Sequence, residues 1–305
     1  LQVELRRRFS EGLYFQANYT FSKNLTDAIG TTQQLQDTFL DINRPELEKA
    51  RADWDVTHVV NVNTIYELPF GRGKTFFSGA GGLLDRIIGG FQLNTIVSLS
   101  SGPPLTFVDP RGTFNRSTPA PSRVARQGIT TNLTNDQIRD LVGVYRTPCG
   151  VFWIDPSVLN INQEALAAGQ CGAGQLGTGR ASEGITATPF TGQVFFNNQP
   201  GSVGNLGRSI VSGPWYFNVD ASLVKSIRIS EGSRIQLRME AFNALNRAHF
   251  FPAAQLLNIT STNFGRLTQT GGNSGGPGGA RVMQFAARFE FYASSARRPP
   301  AAPKL

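Results

Sequence analysis

The 305-residue sequence predicts an all-β fold, an antiparallel transmembrane β-barrel segment of about seven strands from a larger barrel. First, about seven segments alternate between apolar and polar residues with a period of two, as strands do when one face is apolar. Second, Asp, Glu, Lys and Arg make up only 16% of the chain, whereas a soluble domain carries about 25%. Third, the connections are alternately short and long, which predicts an up-and-down meander with long extracellular loops.

The first two strands are predicted over 1–9 and 13–22, with the turn 10–12 between them. A three-residue hairpin connection needs a residue with positive φ, and Gly12 meets that need. A third strand over 58–68 and a fourth over 90–100 are separated by the stretch 69–89. Helical signals predict only short helices around 83–88 and around 135–141, the latter capped by Thr134.

The last three strands show the clearest alternation and are separated by the turn 230–232 and a long connection. Odd-numbered residues such as Phe217, Leu237 and Phe285 are apolar, and most of their even-numbered neighbours are polar. A register that keeps the apolar residues together must pair even positions with even positions across the turn. We therefore expect one apolar outer face and one polar inner face.

The connection lengths predict which loops lie together, because alternate connections of a meander lie at the same end of the sheet. The short set is 10–12, 69–89 and 230–232, and the long set is 23–57, 102–214 and 246–280. Polar residues interrupt the apolar face only near connections, at Arg7, Lys225 and Asn243. There a charge costs about 0–1 kcal/mol, against about 2–4 kcal/mol at the membrane midplane.

Aromatic residues gather at the predicted strand ends, where membrane barrels carry their interfacial girdles. No stretch reaches the roughly 18 consecutive apolar residues of a membrane helix. A soluble β-sandwich also buries phenylalanine by alternation and is the alternative fold. The girdle candidates are Tyr19, Phe21, Phe91, Trp215, Tyr216, Phe217, Phe289, Phe291 and Tyr292.

Five charged residues occupy the middle of the last strands on the even-numbered face, which is the lumen in a barrel. They are Asp220, Arg238, Glu240, Arg288 and Glu290. Pairing between opposite charges on adjacent strands accounts for them and is the favoured interpretation. The functional alternative is contact with an interior plug or with a passing solute.

The two cysteines, Cys149 and Cys171, share the longest predicted connection. A disulfide between them is favoured over two free thiols in an oxidising compartment. His58 and His249 have no cysteine or carboxylate at ligand spacing, so we expect no metal site, and His58 is expected to form a hydrogen bond where its strand begins. The acidic residues Asp37, Asp41, Asp53 and Asp55 lack the spacing of an EF-hand and are interpreted as a solvated rim.

Signatures of catalysis and of nucleic-acid binding are weak. Gly73, Lys74 and Thr75 resemble the end of a phosphate loop, but Leu68 stands where that motif requires glycine. No Ser, His and Asp set suggests a nucleophile. The net charge is +8, yet the longest basic run is Arg6-Arg7-Arg8. We expect neither an enzyme nor a nucleic-acid partner, and no cofactor.

Several segments together resemble the C-terminal barrel of TonB-dependent outer-membrane receptors, in particular the Oar-like group with a carboxypeptidase-regulatory-like N-terminal domain. The matching segments follow the order and spacing of that family and together cover nearly every predicted strand. They are Tyr19-Thr-Phe-Ser-Lys-Asn24, Asp53-Trp-Asp-Val-Thr-His58, Tyr66-Glu-Leu-Pro-Phe-Gly-Arg-Gly-Lys74, Ile88-Gly-Gly-Phe-Gln-Leu93, Ser101-Gly-Pro-Pro-Leu-Thr106, Phe217-Asn-Val-Asp220, Leu223-Val-Lys225, Leu237-Arg-Met-Glu-Ala-Phe-Asn-Ala-Leu-Asn246 and Phe264-Gly265.

The resemblance implies a wall segment, at residues 1–292, of a plugged barrel of about 22 strands. Such a receptor sits in the outer membrane of a Gram-negative bacterium, contacts outer-membrane lipid, binds an extracellular solute and imports it with energy from TonB. The plug and the TonB-contacting segment would precede Leu1, because the chain begins within a strand pattern. Residues 293–305 depart from the family pattern and are predicted to be a disordered Pro-, Ala- and Arg-rich tail. The competing hypothesis is a secreted, soluble β-sandwich adhesin or carbohydrate-binding module.

Overall fold

The computed structural model describes residues 1–27, 43, 45–109, 129–230, 232–250, 257–268, 270 and 279–291. The predicted tail at 293–305, with Asp37 and Asp41, lies outside these residues. The described strands are β1 (Gln2–Ser10), β2 (Leu13–Phe21), β3 (Leu25–Thr26), β4 (Ala50–Arg51), β5 (His58–Glu67), β6 (Phe91–Ser100), β7 (Pro104–Leu105), β8 (Thr130–Thr131), β9 (Val142–Thr147), β10 (Gly150–Ile154), β11 (Phe195–Phe196), β12 (Val211–Ser212), β13 (Tyr216–Ser230), β14 (Ser233–Phe242) and β15 (Val282–Phe291). The described helices are α1 (Gly82–Ile88), α2 (Asn135–Asp140), α3 (Gln163–Ala167) and α4 (Ala173–Leu176), with 3₁₀ turns at Pro45–Glu48 and Pro156–Val158.

Seven of the described strands form one sheet in the order β1-β2-β5-β6-β13-β14-β15, and every neighbouring pair is antiparallel. The predicted meander is confirmed. The shortest of these strands has 9 residues, and a tilted strand of about 9–11 residues crosses the hydrocarbon layer. The described residues do not close the sheet, because β1 and β15 each pair on one side only.

No helix among the described residues is long and apolar enough to cross a membrane.

The register of the sheet confirms the predicted sorting of residues into two faces. Leu223 of β13 lies opposite Met239 of β14, and Val224 lies opposite Arg238, so even positions pair with even positions. The parity differs in β5 alone, because Val62 of β5 lies opposite Ala17 of β2 on one side and opposite Val97 of β6 on the other. The apolar outer face therefore consists of even-numbered residues in β5 and of odd-numbered residues in the other six strands.

Two charged residues on the outer face have polar partners near the short connections. Arg7 of β1 pairs with Glu11 of the first turn at 3.4 Å. The ammonium group of Lys225 donates to the carbonyl of Ile87, at the last turn of α1, at 2.9 Å, and lies 4.2 Å from the ring centre of Phe91. Carbonyls at a helix C-terminus lack intrahelical partners, so a lysine is well placed there. The opposite side of α1 exposes Leu83, Leu84 and Ile87.

The described parts of the long connections 23–57, 102–214 and 246–280 lie at one end of the sheet and those of the short connections lie at the other, as predicted. Residues 102–109, 129–214 and 257–268, from the last two long connections, form a folded unit that we call the cap. The sequence predicted only loops with one short helix here. Apolar side chains from both connections instead form a hydrophobic core, which includes Phe107, Ile129, Ile138, Phe152, Trp153, Ile154, Leu166, Phe195, Ile259, Phe264 and Leu267.

Local interactions hold the cap together at its periphery. Thr134 caps α2 as predicted, with its hydroxyl accepting from the backbone of Gln137 at 3.3 Å and its own backbone N–H donating to the Gln137 side chain at 2.9 Å. Cys149 stands in the turn of the β9–β10 hairpin and is joined to Cys171 by a disulfide, with the two Cα atoms 5.2 Å apart. The disulfide ties this hairpin to the chain that follows α3.

Candidate functional site

Four of the five predicted charged residues on the inner face form ion pairs. Arg238 pairs with Glu240 at 3.3 Å, along one strand. Glu290 pairs with Arg288 at 3.3 Å and with Arg234 of the adjacent strand. The favoured interpretation expected opposite charges to pair across adjacent strands, but among these contacts only the pair of Glu290 with Arg234 joins two strands. Contact of these side chains with a plug or a solute stays a prediction.

Asp220 shares the inner face with these residues but has other partners. Its carboxylate accepts from the backbone N–H of Asn243 at 2.8 Å and from the side chain of Asn218 at 2.9 Å. Asn243 has a positive φ of 50°, and its side-chain oxygen accepts from the backbone N–H of Arg247 at 3.0 Å. Asp220 therefore fixes the turn that follows β14 and, through Asn243, the position of Arg247.

A cavity of about 860 Å³ lies among all three long connections, at the end of the sheet that carries the cap. The sequence showed no readable pocket in these loops. Six cationic side chains line the cavity, and no Asp or Glu of the described chain does. The six are Lys23, Arg51, Arg139, Arg146, Arg208 and Arg247.

Three of the six cations are neutralised by carboxylates that do not line the cavity. Asp55 and Glu48 are buried, so two of these pairs are internal. The interpretation of Asp55 as part of a solvated rim is therefore wrong, because its carboxylate pairs with Arg51 inside the structure. The three pairs are Arg51 with Asp55 at 3.0 Å, Arg139 with Asp136 at 2.6 Å and Arg208 with Glu48 at 3.7 Å.

The other three cations have no carboxylate partner within the described residues. The guanidinium of Arg146 lies 5.8 Å from the ring centre of Phe250, and that of Arg247 lies 5.4 Å from the ring centre of Phe217. A cation above an aromatic ring keeps its full charge. Lys23 is exposed just after β2. The cavity therefore carries three positive charges that nothing in the described structure balances.

Two buried hydrogen-bonding groups in the cavity wall also lack protein partners among the described residues. Trp153 is 1% exposed and Ser209 is 2% exposed, and neither the indole N–H nor the hydroxyl has a hydrogen-bond partner. Ser209 also has a positive φ of 56°, which is costly for a residue with a side chain. An unsatisfied buried donor costs free energy unless a bound molecule accepts from it.

The aromatic residues at the same end of the sheet form part of the predicted girdle. Tyr19 donates or accepts a hydrogen bond with Nδ1 of His58 at 2.9 Å, and the His58 ring stacks on Trp215 with centres 6.0 Å apart. The backbone N–H of His58 donates to the hydroxyl of Ser101 at 3.1 Å. The predicted hydrogen bonding of His58 at a strand entry is confirmed. Trp215 also lines the cavity.

Neither histidine belongs to a metal-binding cluster in the described part of the chain, where no three His, Cys, Asp or Glu residues are placed to hold an ion. His249 is buried against Tyr216, with ring centres 4.7 Å apart. Burial, and then the charge of Arg247, lower the pKa of His249. His249 is therefore neutral near neutral pH and adds no charge beside the cavity.

The outer face of the sheet is apolar and uncovered. Phe285 is 74% exposed and Phe291 is 76% exposed, and within the described residues no second sheet packs on this face. A soluble β-sandwich would bury such residues between two sheets. An uncovered apolar face of this extent fits hydrocarbon.

Comparison with known protein families agrees with this geometry. Residues 1–284 match the family described as outer membrane beta barrel domain. The chain belongs to that family. It is thus an outer-membrane protein of a Gram-negative bacterium, and the soluble sandwich is set aside. Neither the comparison with curated proteins nor that with solved structures found a match.

Sequence reasoning missed the cavity because its cations are far apart along the chain. Lys23, Arg146 and Arg247 come from three different connections, and none of them belongs to a basic run. Recognising the site required the strand order, which brings the three long connections to one end.

Proposed function

We propose that this outer-membrane barrel chain is the C-terminal wall of a TonB-dependent receptor, which binds an extracellular solute and imports it, without catalysing a reaction. One observation carries the proposal: all three long connections lie at one end of the sheet and enclose a cavity there. A cavity at the extracellular end of a barrel is where a solute from outside is first bound. The resemblance of the strand-end motifs to this receptor group supports the same function.

The inner face has a defined part in this proposal. Ion pairs centred on Glu240 and Glu290 give the lumen wall a polar surface with little net charge. A plug held in the lumen needs such a surface, because unpaired charges facing it would be costly to desolvate. We propose that the paired charges support the plug and that the solute is recognised at the cavity.

The test uses the full-length protein, extracted from outer membranes in detergent and checked for a folded barrel by heat-modifiable gel mobility. It is applied to immobilised periplasmic domain of TonB from the same organism. Retention of the folded protein, and its release when the plug-side segment is deleted, is the expected result. If the folded full-length protein passes through without retention, the TonB-dependent assignment is wrong.

A further inference from the structure

We infer that the cavity between the three long connections binds a small organic anion, with a carboxylate, sulfate or phosphate group beside a ring or other weakly polar portion. The inference rests on the proposed function only in treating the cavity as the site where the transported solute is captured. It names the chemical class of that solute, which the proposed function leaves open.

Charge is the first argument. Of the six cations at the cavity, three are balanced by Asp55, Asp136 and Glu48. The remaining Lys23, Arg146 and Arg247 have no described counter-ion. Field lines from these charges are concentrated in a concave site with low-dielectric walls, which raises the local concentration of anions. A neutral or cationic solute gains nothing from this arrangement.

The hydrogen-bonding groups are the second argument. Arginine and lysine only donate, and so does the indole N–H of Trp153. The hydroxyl of Ser209 can donate as well, and both buried groups lack a partner in the described structure. Oxyanions carry several acceptor oxygens and no donors of their own, and guanidinium groups bind them through two parallel hydrogen bonds. An oxyanion in the cavity can therefore accept from the side chains of Lys23, Arg146 and Arg247, which have no carboxylate partner among the described residues.

The volume of the cavity and the apolar residues of its wall indicate what the solute carries besides its anionic group. A volume of about 860 Å³ is within the range of small-molecule sites, about 300–1,000 Å³. The described wall between the cations is largely apolar, with Trp215, Phe250, Ile210 and Val211. Such a surface packs against a ring or a hydrocarbon portion. A bare inorganic anion would leave this part of the wall unused.

The unbalanced arginines are held in place by the surrounding structure. Arg146 lies on β9, whose hairpin is tied by the disulfide between Cys149 and Cys171. Arg247 is fixed through Asn243, which accepts from its backbone N–H and donates to its carbonyl at 2.8 Å. Preorganised cations lose less entropy when a ligand binds. The surrounding structure thus holds the unbalanced arginines in position before a ligand binds.

The experiment measures binding by equilibrium dialysis, with the full-length protein in nanodiscs of phosphatidylcholine. Two matched pairs of probes are used, glucuronate against glucose and benzenesulfonate against benzenesulfonamide. We expect at least one anion to bind and its neutral counterpart to bind at least about tenfold more weakly. Equal binding within both pairs, or binding of neither anion, overturns the inference.

Variants locate the binding. The double variant Arg146→Gln with Arg247→Gln should weaken anion binding at least about tenfold, while Arg72→Gln, at the opposite end of the sheet, should leave it unchanged. Unchanged binding by the double variant, with its barrel folded, overturns the assignment to this cavity. If lipid A phosphates bind and neither free anion does, the site is a lipid headgroup site and the inference is wrong.

The TonB retention assay separates this inference from the proposed function. The double variant should still be retained by TonB, because its changes lie at the extracellular end. A protein that is retained by TonB but binds no anion contradicts the inference alone. A protein that binds the anion but is not retained contradicts only the proposed transport function.

Discussion

Phe285 and Gln284 are neighbours in β15 that face opposite sides of the sheet, so arginine at each position tests which side is in lipid. Phe285 is on the outer face and 74% exposed, whereas Gln284 is on the inner face and contacts Glu240. Because they are adjacent, the two positions lie at nearly the same membrane depth. Their responses therefore differ mainly through the face they occupy.

The magnitude follows from the exposed area. A phenylalanine side chain offers roughly 200 Å², of which 74% faces outward, and at about 25 cal/mol per Å² its loss costs roughly 3–4 kcal/mol. A cation on the lipid face adds about 2 kcal/mol at this depth, between interface and midplane. Phe285→Arg should thus lower the free energy of unfolding by about 5–6 kcal/mol. Gln284→Arg should be nearly neutral, because its guanidinium can pair with Glu240.

The assay is reversible folding of the full-length protein from urea into lipid vesicles, followed by heat-modifiable mobility. Phe285→Leu controls for loss of the ring without a new charge, and it should retain most of the stability. Equal losses for the two arginine variants, or a larger loss at Gln284, would show that the outer face is not in hydrocarbon.

Three further predictions concern the cap and the short-connection end. Cys149→Ser should destabilise the cap by about 3 kcal/mol, seen as faster proteolysis of the cap; two alkylatable thiols in the mature wild-type protein would contradict the disulfide. Burial raises the pKa of Glu183, but hydrogen bonds from Thr178, Asn160 and Arg180, with the Arg180 charge, outweigh it and hold the pKa below its ordinary value. The stability contributed by ionised Glu183 is therefore present above about pH 4.3 and is lost as the pH falls through the lowered pKa. In Glu183→Gln the stability of the cap should depend less on pH in this acidic range, and an unchanged pH dependence would refute this. The exposed Leu83, Leu84 and Ile87 of α1 are expected to contact the membrane interface, and Ile87→Glu should weaken that contact. The measurement is quenching of a probe on α1 by brominated lipid, which should be lower in the variant; unchanged quenching would place α1 in water.

The sheet could be predicted from the sequence because each strand contributes a local pattern. Alternation at Phe217, Leu237 and Phe285 sets the faces, and a one-residue slip would bring charges such as Arg238 to the lipid side. The sequence did not predict that even-numbered residues of β5 face outward beside odd-numbered residues of the adjacent strands. Nothing near Val62 in the sequence shows which residues of those strands will lie opposite it. That pairing depends on the lengths of the connections on both sides.

The cap and its cavity could not be predicted in the same way. Buried residues of the cap, such as the consecutive Phe152, Trp153 and Ile154, follow neither a helical nor a strand period, so the pattern of the sequence contains no signal of a core. The cavity needs Lys23 and Arg247 at the same end of the sheet, and that placement depends on the order of strands rather than on any motif. The disulfide could be predicted because two cysteines allow only one pairing within the chain.

The core of the cap constrains the order in which the parts of the chain can fold. Its residues come from two connections, with Phe152 and Trp153 from the first and Phe264 from the second, and the backbone N–H of Trp153 donates to the carbonyl of Gly265 at 2.6 Å. Strands β13 and β14 lie between these connections. The core can therefore close only after the chain has crossed the membrane twice more, and contacts of such long sequence separation form slowly. Once formed, the cap connects β6, β13, β14 and β15 at the end of the sheet that carries the long connections. Detachment of any one of these strands from the sheet must therefore also disrupt the core of the cap.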